Sequence, residues 1–173
     1  MKSLRIALPL LLSFAATAAF AQISAQKSFD QLKSLAGSWE GKDSKGRHLR
    51  VSFRDVARGS ALMSEIQKEG HDGVMFSMIS MIHLDGPNRL LLTHYCSDGT
   101  QPRMAATTSP DGKTITFNFF DNTNATPDST NARRLIFTIV DANHHTEDWT
   151  FAAGPGKEMK EFFELHRTEV AQK

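Results

Sequence analysis

The densest run of reactive side chains is His94-Tyr95-Cys96. Neighbours on an extended strand point to opposite faces, so His94 and Cys96 share a face with Leu90 and Leu92 while Tyr95 points away. A Cys–His nucleophilic pair needs both side chains within hydrogen-bond reach, and positions i and i+2 of a strand stand too far apart for that. Cys96, the only cysteine, therefore reads as a small buried hydrophobe and can form no internal disulfide. The histidines, with Met63, Met75, Met78, Met81, Met104 and Met159, are the donor types of a soft metal or of a haem's axial ligands. No His-x-x-x-His helix, Cys-x-x-Cys-His or Cys/His ligand spacing selects any of them, and methionines at alternate strand positions are adaptable core filler. No residue is therefore singled out as a metal ligand. A haem pocket asks only for one strand histidine and an apolar cavity, so haem or metal binding stays open as the alternative reading.

Polar residues on inward-facing positions carry the main expectation. Glu161 falls between Met159 and Phe163 on the face that ends in Arg167, and His145, Glu147, Trp149 and Phe151 share one face of the preceding strand. A lone carboxylate on a closed apolar wall is costly. Glu161 is therefore expected at a rim, paired with Arg103 or Arg133, or lining a wet cavity. A few such groups among apolar walls orient a small, mostly apolar ligand. His94, Trp149, Glu161, Arg103 and His145 are the cavity candidates. The chain has no Gly-x-Ser-x-Gly elbow, phosphate-cradling glycine loop or His-Glu-x-x-His. Asp55, Glu65, Glu147, Asp148 and Glu161 offer carboxylates, but no spacing in a β chain selects an acid–base pair. A non-catalytic protein is expected.

The elements that must position these residues are strands. Phe29, Leu32 and Leu35, three apart, predict a short helix stopped by Gly37, after a loose polar segment over 22–28. From there the period is two. Strands are predicted over 37–43, 47–58, 61–69, 73–84, 89–96, 102–109, 113–121, 133–140, 145–151 and 158–167. Turn chemistry separates them, as in Asp43-Ser44-Lys45-Gly46, Ser97-Asp98-Gly99 and Ser109-Pro110-Asp111-Gly112. Leu49, Val51 and Phe53 alternate with polar residues, as do Ile115, Phe117 and Phe119. Strand 73–84 is apolar on both faces, so both are covered or the outer one is an interface. Ten successive antiparallel strands with tight turns predict an all-β, closed, up-and-down barrel, because closure removes both unpaired edges.

Lys2 and Arg5, an apolar run from Ile6 to Phe14 and the Ala19-Phe20-Ala21 site make residues 1–21 a signal peptide. The expected location is periplasmic or secreted. The remainder is the size of one domain, assigned to 29–170. With 20 Lys+Arg against 19 Asp+Glu, well interspersed, no nucleic-acid partner is expected. No later stretch is long and apolar enough for membrane insertion.

Gly37-Ser38-Trp39 opening the first strand after a short helix, with Arg167 near the far end, resembles the lipocalin-like (calycin) superfamily. In that superfamily a basic residue of the last strand packs across the tryptophan at the closed end. The resemblance implies the same latch between Trp39 and Arg167. The strand count looks more like fatty-acid-binding proteins and haem-binding nitrobindins, although the nitrobindin haem-ligand histidine has no counterpart that can be placed here. Leu92-Thr93-His94-Tyr95-Cys96 followed by Gln101-Pro102-Arg103-Met104 is similar to an uncharacterised family of exported bacterial proteins of this class. The expected function is binding of a small hydrophobic or amphipathic ligand in the cavity. Besides haem or metal binding, a barrel packed solid by Phe53, Phe76, Phe117 and Phe119 is the third possibility.

Overall fold

Ser24 accepts a hydrogen bond from the Lys27 backbone N–H at 3.2 Å, and this side-chain cap starts helix α1 (Ala25–Lys33). The computed structural model describes residues 24–170, apart from residues 71, 127, 128 and 155. The expected leader, residues 1–21, lies outside the described residues. Residues 25–28, expected to be loose, are instead the first turn of α1, because Ser24 satisfies an N-terminal donor and Ser28 and Phe29 are buried. The helix closes one end of the sheet. Phe29, Leu32 and the following Leu35 enter the core, and Ser28 Oγ meets Thr108 Oγ1 at 2.7 Å.

Gly37, at φ 130°, turns the chain out of the helix into the first strand, a conformation that disfavours side chains. Ten strands follow: β1 (Gly37–Asp43), β2 (His48–Val56), β3 (Ala61–Glu69), β4 (Met75–Leu84), β5 (Leu90–Tyr95), β6 (Gln101–Thr108), β7 (Thr114–Thr123), β8 (Asn131–Asp141), β9 (His144–Ala152) and β10 (Glu158–Val170). The expected ends agree with these to within three residues. Each strand pairs with its neighbour in sequence, and β1 also pairs with β10, so the sheet is a closed antiparallel barrel without an edge. Within this seam Gly41 lies opposite Leu165. A Cβ on Gly41 would stand 1.8 Å from the Glu164 carbonyl oxygen, so this close approach of backbones requires glycine.

The same seam sets Trp39 opposite Arg167. The guanidinium carbon lies 4.2 Å from the centre of the Trp39 ring. Arg167 also donates to the carbonyls of Ala36 at 2.7 Å, Ser34 at 2.9 Å and Ala142 at 2.9 Å. Trp39 Nε1 donates to the Leu35 carbonyl at 2.8 Å. Helix end, first strand and last strand are thereby tied at one point.

Above the helix the interior is filled by rings. Phe53, Phe117, Phe137 and Phe163 are buried, with Phe137 6.2 Å from Phe53 and 6.1 Å from Phe117, edge to face. On the outer wall of β4, Ile79 and Met81 are half-buried and Met75 is 61% exposed. Among the described residues no helix is long and apolar enough to cross a membrane.

Candidate binding site at the barrel mouth

Strand parity delivers an ion pair to the interior at the end opposite α1. On β3, Leu62, Ser64, Ile66 and Lys68 are buried on one face; on β10, Glu161, Phe163 and Leu165 are. Lys68 Nζ donates to Glu161 Oε2 across 93 residues of sequence, with both side chains buried. The ammonium also faces Phe163 at 5.6 Å and Phe76 at 6.0 Å, ring contacts that partly replace lost hydration. Arg47, from the β1–β2 turn, bonds Asp43 Oδ2 at 2.6 Å and stands 3.7 Å from Glu161 Oε1. Glu161 therefore faces two cations. Burial pushes the Asp43 carboxyl up, but hydrogen bonds from the Arg47 side chain and from the Arg47 and Lys45 backbone outweigh it and hold the carboxyl below its ordinary value.

These charges border a cavity of about 320 Å³. Its apolar walls are Phe76, Met78, Phe151 and Met159, its charged groups are Arg47, Lys68, Asp98 and Glu161, and Cys96 also lines it. Burial pushes the Cys96 thiol up, with Asp98 adding to the shift and a Thr100 hydrogen bond opposing it. The thiol form is therefore favoured, which suits a wall and not a nucleophile.

Below the cavity runs a second polar chain along β9. Trp149 stacks on the cavity-lining Phe151 at 5.7 Å and donates from Nε1 to Glu147 Oε2 at 2.9 Å. Glu147 Oε1 is 3.4 Å from His145 Nε2, and the His145 ring meets Trp39 edge-on at 4.3 Å. His94 packs against Trp149 at 4.7 Å, with Nδ1 2.9 Å from Ser80 Oγ. Burial pushes the His94 imidazole down to about 4, against an opposing pull from Asp98, so it is neutral near pH 7.

Of the residues picked from sequence, Glu161 lines the cavity. His94, His145 and Trp149 face inward, but they pack against one another and against aromatic rings beneath it, leaving them outside its lining. Arg103 is a correction. Pro102 and Met104 occupy the inward positions of β6, so Arg103 points outward, where it pairs with Asp121 and lies 5.2 Å from the exposed Phe120 ring. Glu161 therefore has Lys68, not Arg103 or Arg133, as its partner. Lys68, Arg47 and Asp43 escaped the sequence reading. The alternation Leu62, Ser64, Ile66, Lys68 placed an inward lysine beside a turn and was the available signal.

No protein-family model and no curated protein sequence matches the chain. Among solved structures it is similar to Rv2717c from M. tuberculosis, with a TM-score of 0.62 and 19% identity over 82% of this chain and 97% of that one. A de novo designed fluorescence-activating β-barrel is similar at a TM-score of 0.44 and 14% identity, over 80% and 98% of the two chains. At 19% identity the likeness to Rv2717c is one of fold alone, and the fold here is a closed antiparallel β-barrel of ten strands.

Proposed function

We propose that the protein is an exported, non-catalytic binder of a small, mostly apolar molecule with one polar head group, held at the mouth of the barrel. The supporting observation is the buried Lys68–Glu161 pair bordering a cavity whose apolar walls are Phe76, Met78, Phe151 and Met159. Burying two charges is costly and is only partly offset by their attraction. A pair kept at a cavity wall instead of in solid packing offers both a donor and an acceptor to a ligand's head while the apolar walls take its body. The cavity is at the small end of the range for ligand sites, which favours a compact molecule over a long acyl chain. Export is read from residues 1–21 and is checked by the mass of the protein recovered from its native host, which should begin at Gln22.

The binding test is mass spectrometry of small molecules released from protein purified under native conditions, with an apolar fluorescent probe as the titrant. Met78→Trp, which fills the cavity, should abolish retention and probe binding while leaving the fold intact. Identical ligand content in parent and variant would remove the proposal.

One observation favours the haem or metal reading: Nε2 of buried His94 has no hydrogen-bond partner. A neutral imidazole anchored through its other nitrogen is what axial ligation uses. The packing does not fit a macrocycle there, since the ring is fully buried with Trp149 against it. Among the described residues no group of three ligand atoms gathers at His94. Visible absorption of the purified protein separates the readings, because haem would colour it and His94→Ala would bleach it.

A further inference from the structure

We propose that His144, Glu164 and His166 form a binding site for a divalent transition-metal ion of the Zn²⁺ class on the outer wall of the barrel. The site is separate from the mouth and independent of what the mouth holds.

Register builds it. His144 on β9 lies directly opposite His166 on β10, and Glu164 shares the outward face of β10 with His166 because it is two residues away. One ligand atom from each lies within 4.8 Å of the other two. The imidazoles stack at 4.6 Å with 20° between planes. His144 Nε2 is shut off from solvent and makes no hydrogen bond, although Glu164 Oε1 stands 3.5 Å away. A shielded ring nitrogen facing a carboxylate without a bond is a polar atom lacking its partner. A cation between the two satisfies both.

The donor set selects the ion. Two imidazoles and one carboxylate suit zinc, with a fourth position left to water, whereas magnesium and calcium ask for oxygen ligands. Zn–N and Zn–O bonds of about 2.0–2.2 Å place tetrahedral ligand atoms about 3.3 Å apart, so the three must draw together. Glu164 and His166 are exposed and free to turn, while half-buried His144 provides the fixed point.

The test is calorimetric titration of untagged protein with ZnCl₂, paired with visible absorption on adding Co²⁺, which reports tetrahedral nitrogen and oxygen ligation. Expected is one Zn²⁺ per chain, no response to Mg²⁺, and affinity lowered more than about tenfold, the least that even an outer-shell partner costs, in His144→Ala, His166→Ala and Glu164→Gln. His83→Ala, a histidine on another strand, should bind as the parent does. His166→Ala and Glu164→Gln change exposed side chains, so circular dichroism should show them folded. Absence of saturable Zn²⁺ binding overturns the proposal, as does binding that persists unchanged in both histidine variants.

Discussion

Replacing Arg167 with alanine removes a ring contact and three hydrogen bonds in one step. Trp39 is buried and the guanidinium lies 4.2 Å from its ring centre, a partly desolvated cation–π contact of about 1–2 kcal/mol. The bond to the Ala36 carbonyl is half-buried and charge-assisted, contributing about 1.5 kcal/mol. The bonds to Ser34 and Ala142 are exposed, so water replaces them at a cost of about 0.5 kcal/mol together. Arg167→Ala should therefore destabilise by about 3–4 kcal/mol, lowering Tm on the order of 10 °C for a chain of this size. Arg167→Lys keeps the charge but loses the planar fork, and should lose about half as much. Urea unfolding followed by tryptophan fluorescence and circular dichroism reads both values. Probe binding at the mouth should be unchanged in the folded variant, since the contact lies at the opposite end. A loss below about 1 kcal/mol, within the range of ordinary surface changes, would refute the idea that this contact holds the closed end together.

Three further outcomes are expected. His94 has its folded pKa lowered from 6.5 to about 4, so the unfolded chain takes up a proton there that the folded chain refuses. Its contribution is complete above about pH 6.5 and falls by about 3 kcal/mol as pH drops toward 4. His94→Gln should flatten that stretch of the stability–pH profile, and parallel profiles would contradict this. Gly41→Ala drives a methyl group into the Glu164 carbonyl and should cost about 3 kcal/mol or more, or prevent folding; parent-like Tm would show that the seam yields. Glu147→Leu leaves the buried Trp149 N–H without an acceptor and should cost about 1–3 kcal/mol, whereas Glu147→Gln retains an acceptor and should cost less. Equal losses in chemical denaturation would deny that hydrogen bond its role.

The barrel was legible because its signals are local. Leu49, Val51 and Phe53 show which side of β2 is core, and each turn carries its own glycine, asparagine or proline. Gly37, Trp39 and Arg167 are legible as a pattern, and the register places the latter two opposite each other. The start of α1 was misplaced although Ser24 stood there as a cap, because the apolar spacing begins only at Phe29. The mouth was harder. Lys68 meets Glu161 across the barrel, and such a contact depends on strand stagger, which alternation does not encode. Arg103 offers a partner by charge alone, while the buried positions on either side of it already assign its face. The cavity's extent follows from side-chain volumes in three dimensions. Trp149 and His94 have the right parity and still fill space instead of bordering it. His144 and His166 become neighbours only once β9 and β10 are in register.

The seam between the first and last strands also dictates an order of events for the chain. Arg167 reaches back to Ala36 across 131 residues, and β1 gains its second neighbour only when β10 arrives. Until then β1 and β9 each present an unpaired row of backbone donors and acceptors, the kind of edge that recruits other chains. The partner that closes the seam is the last strand of the barrel in chain order, so closure waits until all ten strands are made, and contacts of such separation form slowly. Loss of β10 would thus do more than shorten the sheet. It would convert a transient stage of folding into a permanent, self-associating one.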